Sequence, residues 1–186
     1  MIDWTTGSSG RRLLSSIRSE FLRYKTLAEQ AIEQVRDDEL STQGEGEPGS
    51  ITTICWHVGG NLRSRFTDFL TSDGEKPWRN RESEFDARTV TRAELLAQWQ
   101  AGWDALLNAL NDLTDNMLDR DVTIRGQNLK VHEALHRSLA HTSYHVGQVV
   151  HIAKTLRGSE WKSLSIPRGQ SDAYNANPDR ERPKAH

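Results

Sequence analysis

Cysteine is nearly absent from this chain of 186 residues: Cys55 is the only one. A single thiol makes no disulfide framework and no CxxC redox or metal pair. No apolar run approaches the roughly 18–20 residues that a membrane span needs. The opening stretch, MIDWTTGSSGRRLL, lacks the positive start and apolar middle of a secretion signal. These absences point to a reducing, cytoplasmic setting. Charge of one sign is lacking as well, with 24 Lys+Arg against 26 Asp+Glu and a formal net charge of −2. That balance carries no nucleic-acid footprint and no acidic tail, so neither nucleic acid nor membrane is an expected partner. A P-loop and a G-x-S-x-G elbow are both missing. No glutamate is taken to stand where a metalloprotease needs its general base, so that chemistry is not expected.

What the chain does have is helical periodicity. Leu14, Ile17, Phe21, Tyr24, Leu27, Ala28, Ala31 and Val35 recur at three- and four-residue steps and predict a helix over 11–37. STQGEGEPGS, 41–50, reads as a loop from its glycines and proline. A second helix is expected near 51–71, with Ser50 as its N-cap. DGEKPWRNRESEF, 73–85, reads as a charged, irregular connection. Thr91 and Glu94 fit a capping box that opens a third helix running to about Leu113. In DVTIRGQNLKV, 121–131, apolar residues alternate on either side of Gly126-Gln127, which predicts a small hairpin. A fourth helix follows over about 131–157 and stops near Gly158. The tail is expected to be irregular, either a strap held down by Trp161, Leu164 and Ile166, a cap on the cavity mouth or an arm toward a dimer partner, with about residues 176–186 disordered. The whole chain, 1–186, reads as one all-α domain: a four-helix bundle with a small hairpin before the last helix and an irregular C-terminal tail.

Two pairs of histidines at four-residue spacing fall on the fourth helix: His132 and His136 in HEALH, and His141 and His145 in HTSYHVGQ. At about 100° per residue, Ala134, Leu135, Leu139, Val146, Val149 and Ile152 share one arc, the core face. His145 falls just inside that arc and His141 at its edge, whereas His136 and His151 face outward and His132 lies near the hairpin. HEALH also contains one Glu-x-x-His, but di-iron carboxylate bundles need two copies and two further glutamates. The HEALH pair is therefore read as a solvated face. His141 and His145 can converge on one ion, because helical neighbours at this spacing lie side by side.

In the second helix, His57, Asn61 and Arg65 continue one another at four-residue steps along the edge of the apolar stripe. Such a polar row on a packing face is costly unless every member is satisfied. One reading is local: a helix-boundary histidine, an amide bond, and an ion pair of Arg65 with Asp68 or Glu82. The other has this row facing His141 and His145 across one cavity, and it is preferred because two helices break the same rule. Cys55 is turned about 160° from His57 and suits packing rather than ligation. Gln148 stands close to the direction of His141, where it either orients a ligand ring or a bound water or is an exposed amide at the edge of the helix interface. Tyr144 projects off the core face, toward a pocket mouth or a neighbouring chain.

WHVGGNLRSRFTDFLTSDGEKPWRNRESEF, LAHTSYHVGQVVHIAK and WKSLSIPRGQS resemble the DinB-like (YfiT-like) superfamily of four-helix-bundle metalloproteins, in a branch of unknown function. The resemblance covers roughly residues 10–175. It implies a three-histidine metal site at His57, His141 and His145, and a homodimer. Relatives in that superfamily include transferases and an isomerase that use low-molecular-weight thiols such as bacillithiol or mycothiol. A site of that kind would take Zn, Ni, Fe or Mn and acidify a bound water or thiol. Arg65 would hold a carboxylate on the thiol or a small-molecule substrate, beside Asn61. The expected function is a metal-dependent thiol transfer to an electrophile. The alternative is a bundle that binds a metal or small ligand without catalysis.

Overall fold

The computed structural model describes residues 9–43 and 49–178, with side chains from Leu13 onward. Residues 1–8 of the opening stretch, the middle of the 41–50 loop and the last eight positions of the expected disordered end lie outside the described residues. The protein is mostly helical, with one two-stranded antiparallel hairpin. Four long helices, α1 (Ser9–Glu33), α2 (Ile51–Phe66), α3 (Arg92–Asp112) and α4 (Val131–Arg157), precede a short α5 (Ser171–Asn175). The hairpin strands β1 (Asp121–Ile124) and β2 (Gln127–Lys130) lead directly into α4.

Helix starts follow their caps. The Ser50 hydroxyl accepts from the Thr53 backbone N–H at 3.1 Å. Thr91 and Glu94 form a reciprocal capping box, with the Glu94 carboxylate accepting from the Thr91 N–H at 2.8 Å. Helix ends were harder to foresee. Helix α1 stops at Glu33 rather than 37, because Arg92 donates to the Ile32 and Val35 carbonyls and closes the last turn from outside. Val35 is still buried there. Helix α2 stops at Phe66 rather than 71: Thr67 is extended and Asp68 takes a left-handed φ of 48°.

The hairpin turn lies one residue earlier than expected. Arg125 and Gly126 both have positive φ (54° and 71°), and Gln127 pairs with Ile124. A two-residue turn with this twist requires positive φ at both central positions. Arg125 is held there by Asp73, whose carboxylate accepts from the Arg125 and Gly126 backbone N–H groups, each at 2.8 Å. Gly74 N–H also donates to the Thr123 carbonyl at 2.7 Å. The charged connection after α2 is thus pinned to the hairpin.

The tail is less irregular than expected, since it contains α5. Trp161 and Leu164 pack against the core, but Ile166 is exposed and anchors nothing. Gln34 of α1 holds the Lys162 backbone through both its amide groups.

Helix α2 packs on α3 and α4, and α1 packs on α4. The α2–α3 crossing is close: a Cβ at Gly102 would sit 2.4 Å from the Gly59 carbonyl oxygen. The core holds Phe21 of α1 and Trp99 and Trp103 of α3, with Trp103 in edge contact with Phe21 and tilted against Trp99. No helix among the described residues is long and apolar enough to cross a membrane.

Candidate metal centre

His57 enters the site from α2, where it is 4% exposed. Its Nδ1 lies 2.8 Å from Oε2 of Glu84, in the connection between α2 and α3. Arg79, from the same connection, grips that carboxylate with two parallel bonds, Nε to Oε1 and Nη2 to Oε2, each 2.8 Å. Side-chain exposures of 2% for Arg79 and 7% for Glu84 make this a buried ion pair. Burial alone would raise the Glu84 carboxyl, but the bonds from His57 and Arg79 outweigh it and hold it below the usual range. A carboxylate in this state accepts a proton bond from His57 Nδ1–H, which leaves the Nε2 lone pair free and fixes the ring. Gly60 makes the arrangement possible: a Cβ there would lie 2.3 Å from Oε1 of Glu84.

His141 and His145 approach from α4. The Nε2 atoms of His57 and His141 are 3.2 Å apart. His145 Nδ1 lies 2.8 Å from Oε1 of Gln148, an acceptor, so this ring too carries its proton on Nδ1 and frees Nε2. Burial first, and then the neighbouring His145, His57, Arg79 and Arg65, push His141 down to about 3. Burial also lowers His145, against a smaller opposing effect of Gln148. His141 and His145 are therefore neutral at pH 7, the form that binds metal.

One ring nitrogen from each of His57, His141 and His145 lies within 4.8 Å of the other two, and these three residues could hold a metal ion. Around a tetrahedral ion with bonds of roughly 2.0–2.1 Å, ligand nitrogens sit about 3.3 Å apart. The His57–His141 separation already matches that figure, and the donor set fits a borderline divalent cation. Among the described residues this is the only such group of three. Phe85 lies against the His57 ring at 4.7 Å between centroids, and the exposed Tyr144 meets His145 edge-on at 5.1 Å. Cys55 is fully buried, and burial pushes its thiol far up, as suits a packing residue.

The HEALH pair is elsewhere. Its letters spell the H-E-x-x-H of zinc metalloproteases, contrary to the expectation that no glutamate stands in that place. The geometry gives them other work. Glu133 accepts from the Lys130 N–H at 2.7 Å and caps α4, and His132 Nδ1 donates to the Leu118 carbonyl at 3.0 Å. His136 is exposed.

Asn61 and Arg65 line a cleft of about 330 Å³ that also reaches His57 and His141. Arg65 does not pair with Asp68 or Glu82. It donates to the Gly74 carbonyl and, at 3.1 Å, to Glu75, because the connection after α2 folds back along that helix. Glu84 and Arg79 were missed in the sequence, where 73–85 reads only as a charged loop. The available signal was the histidine itself, since a buried imidazole needs an acceptor and this segment is rich in carboxylates.

The chain belongs to the family described as "Protein of unknown function (DUF1572)", which matches residues 8–170. No curated protein and no solved structure matches it.

Proposed function

We propose that this protein is a metal-dependent enzyme whose ion is held by His57, His141 and His145 and whose substrate lies in the adjoining cleft. The observation that carries this reading is the convergence of three ring nitrogens, two of them freed by hydrogen bonds on the far side of the ring. A closed structural site fills four protein positions, whereas three histidines leave room for a guest. A divalent cation such as Zn, Ni, Fe or Mn supplies Lewis acidity toward a thiol or a water when bound there. The chain's own residues do the rest. Glu84 and Gln148 hold two rings in their tautomers, Phe85 shields His57 from water, and Asn61 and Arg65 meet polar parts of the substrate. Thiol transfer to an electrophilic carbon is the reaction class we favour. The resemblance to the DinB-like superfamily, a four-helix bundle and a cytoplasmic homodimer belong to the same reading.

Metal content by mass spectrometry, on protein purified without an affinity tag, tests the site. Wild type should carry about one equivalent, and His57→Ala and His145→Ala little or none. Equal metal in all three would overturn the reading. A non-catalytic role is the second reading, favoured by the fact that the ligand set bridges two helices, α2 and α4. It predicts a large loss of thermal stability on chelation and no turnover with any pairing of thiol and electrophile.

A further inference from the structure

The cleft beside the histidines is lined by four arginines, Arg65, Arg81, Arg125 and Arg137, and among the described residues no carboxylate lines it. These charges are unequally neutralised. Arg65 and Arg125 share one carboxylate, that of Glu75, at 3.1 and 2.8 Å. Arg79, already committed to Glu84, also stands 3.8 Å from Glu75. Three guanidiniums thus face two carboxylates. Arg81 pairs with Glu82, which lies out in solvent at 85% exposure, so the pair is worth little. Arg137 has no hydrogen-bond or ion-pair partner among the described residues, although it lines the cleft.

Next to Arg137 stands a second unmet group. Ser138 is 8% exposed, lines the same cleft, and its hydroxyl has no hydrogen-bond partner. A buried hydroxyl left without a partner is costly, which gives an incoming acceptor something to gain. Guanidinium and hydroxyl are donors suited to an oxyanion. Apolar side chains, Phe66, Phe69 and Ile124, also line the cleft. The volume lies at the low end for ligand pockets, so it suits a small molecule rather than a polymer.

We infer that this cleft binds a small organic anion, a carboxylate or a phosphate ester, with its oxyanion group held by Arg137 and the Ser138 hydroxyl and its other end directed at His57 and His141. The anion site deepens the proposed function by giving the substrate a chemical class. It rests on that reading only for what the far end of the ligand meets.

The test is calorimetric titration of wild-type protein, metal-loaded and chelated, with succinate, methyl phosphate and the uncharged succinamide. At least one of the two anions should bind saturably, more weakly as salt rises, and succinamide should not bind. Arg137→Gln should weaken the anion by about tenfold or more, as expected for a lost charged hydrogen bond. It removes an exposed side chain with no partner, so folding should survive, as circular dichroism can verify. Ser138→Ala should weaken the anion as well. Absence of binding by both anions, equal binding of succinamide, or an Arg137→Gln protein that binds like wild type would each overturn the inference. Anion binding by a protein that takes up no metal on loading would overturn the proposed function and leave this inference standing. A metal-loaded protein indifferent to both anions would do the reverse.

Discussion

Helix α4 carries two histidine pairs at the same spacing, and their rings meet at similar angles: 77° for His132 and His136, 79° for His141 and His145. The first pair spells a known zinc motif and the second does not. Yet the second pair is the one brought against a third imidazole. The difference lies in what the rest of the chain places opposite. The hairpin and the capping Glu133 occupy the neighbourhood of the first pair. α2, with His57 backed by Glu84 and Arg79, faces the second. A spacing motif supplies two ligands at most; the third comes from packing.

Replacing the buried support should disturb the second pair most. Glu84→Gln keeps the shape of the side chain but strips buried Arg79 of its close carboxylate, leaving only Glu75 at 3.8 Å. It should cost about 3–5 kcal/mol of stability in denaturant unfolding. In the folded fraction, metal affinity should fall about 10–100-fold through the loosened His57. A stability change under 1 kcal/mol would mean that the buried pair is not what holds the site.

Gly60→Ala attacks the same contact from α2. The new methyl would overlap Oε1 of Glu84, so the carboxylate must move. A loss of about 1–3 kcal/mol is expected, with weaker metal binding measured by competition against a chromogenic chelator. An alanine that leaves both unchanged would show that Glu84 can retreat freely.

Acid should sharpen the comparison more gently. His141 is held down to about 3 in the folded protein, against an ordinary value of about 6.5. The folded state therefore binds fewer protons than the unfolded state between those values. Its contribution to stability is present above about pH 6.5 and lost as pH falls toward 3. The melting temperature of the metal-free protein should drop across that window, and less steeply in His141→Phe. His136 is exposed, and its pair with His132 should show the smallest effect. His136→Ala should change stability by no more than about 0.5 kcal/mol and leave metal content untouched. Loss of metal in that variant would return HEALH to consideration.

The helical pattern was legible wherever apolar residues recur and a cap is written locally. Ser50, the Thr91–Glu94 box and Gly158 marked their boundaries to within a residue. Boundaries set from a distance were not legible: Arg92 ends α1 from across the fold, and the backbone turn at Thr67 and Asp68 ends α2 early. The polar row of α2 and the inward pair of α4 were both readable as violations of an apolar face. Their partners were not, because Glu84 and Arg79 lie in a segment without periodicity, where charge alone gives no direction. The same holds for Arg65, whose carboxylate came from the folded-back connection rather than from Asp68 or Glu82.

Sequence alone determined which side chains turn inward, because a helix has a fixed period and burial of an imidazole has a fixed cost. It determined the helices for the same reason, together with the caps that start them. Tertiary structure alone decided which inward groups meet. Glu84 reaches His57 only because Gly60 leaves space and the connection after α2 doubles back, pinned by Asp73 to the hairpin turn. Contacts of this kind join residues far apart in the chain, and no local periodicity encodes such a distance.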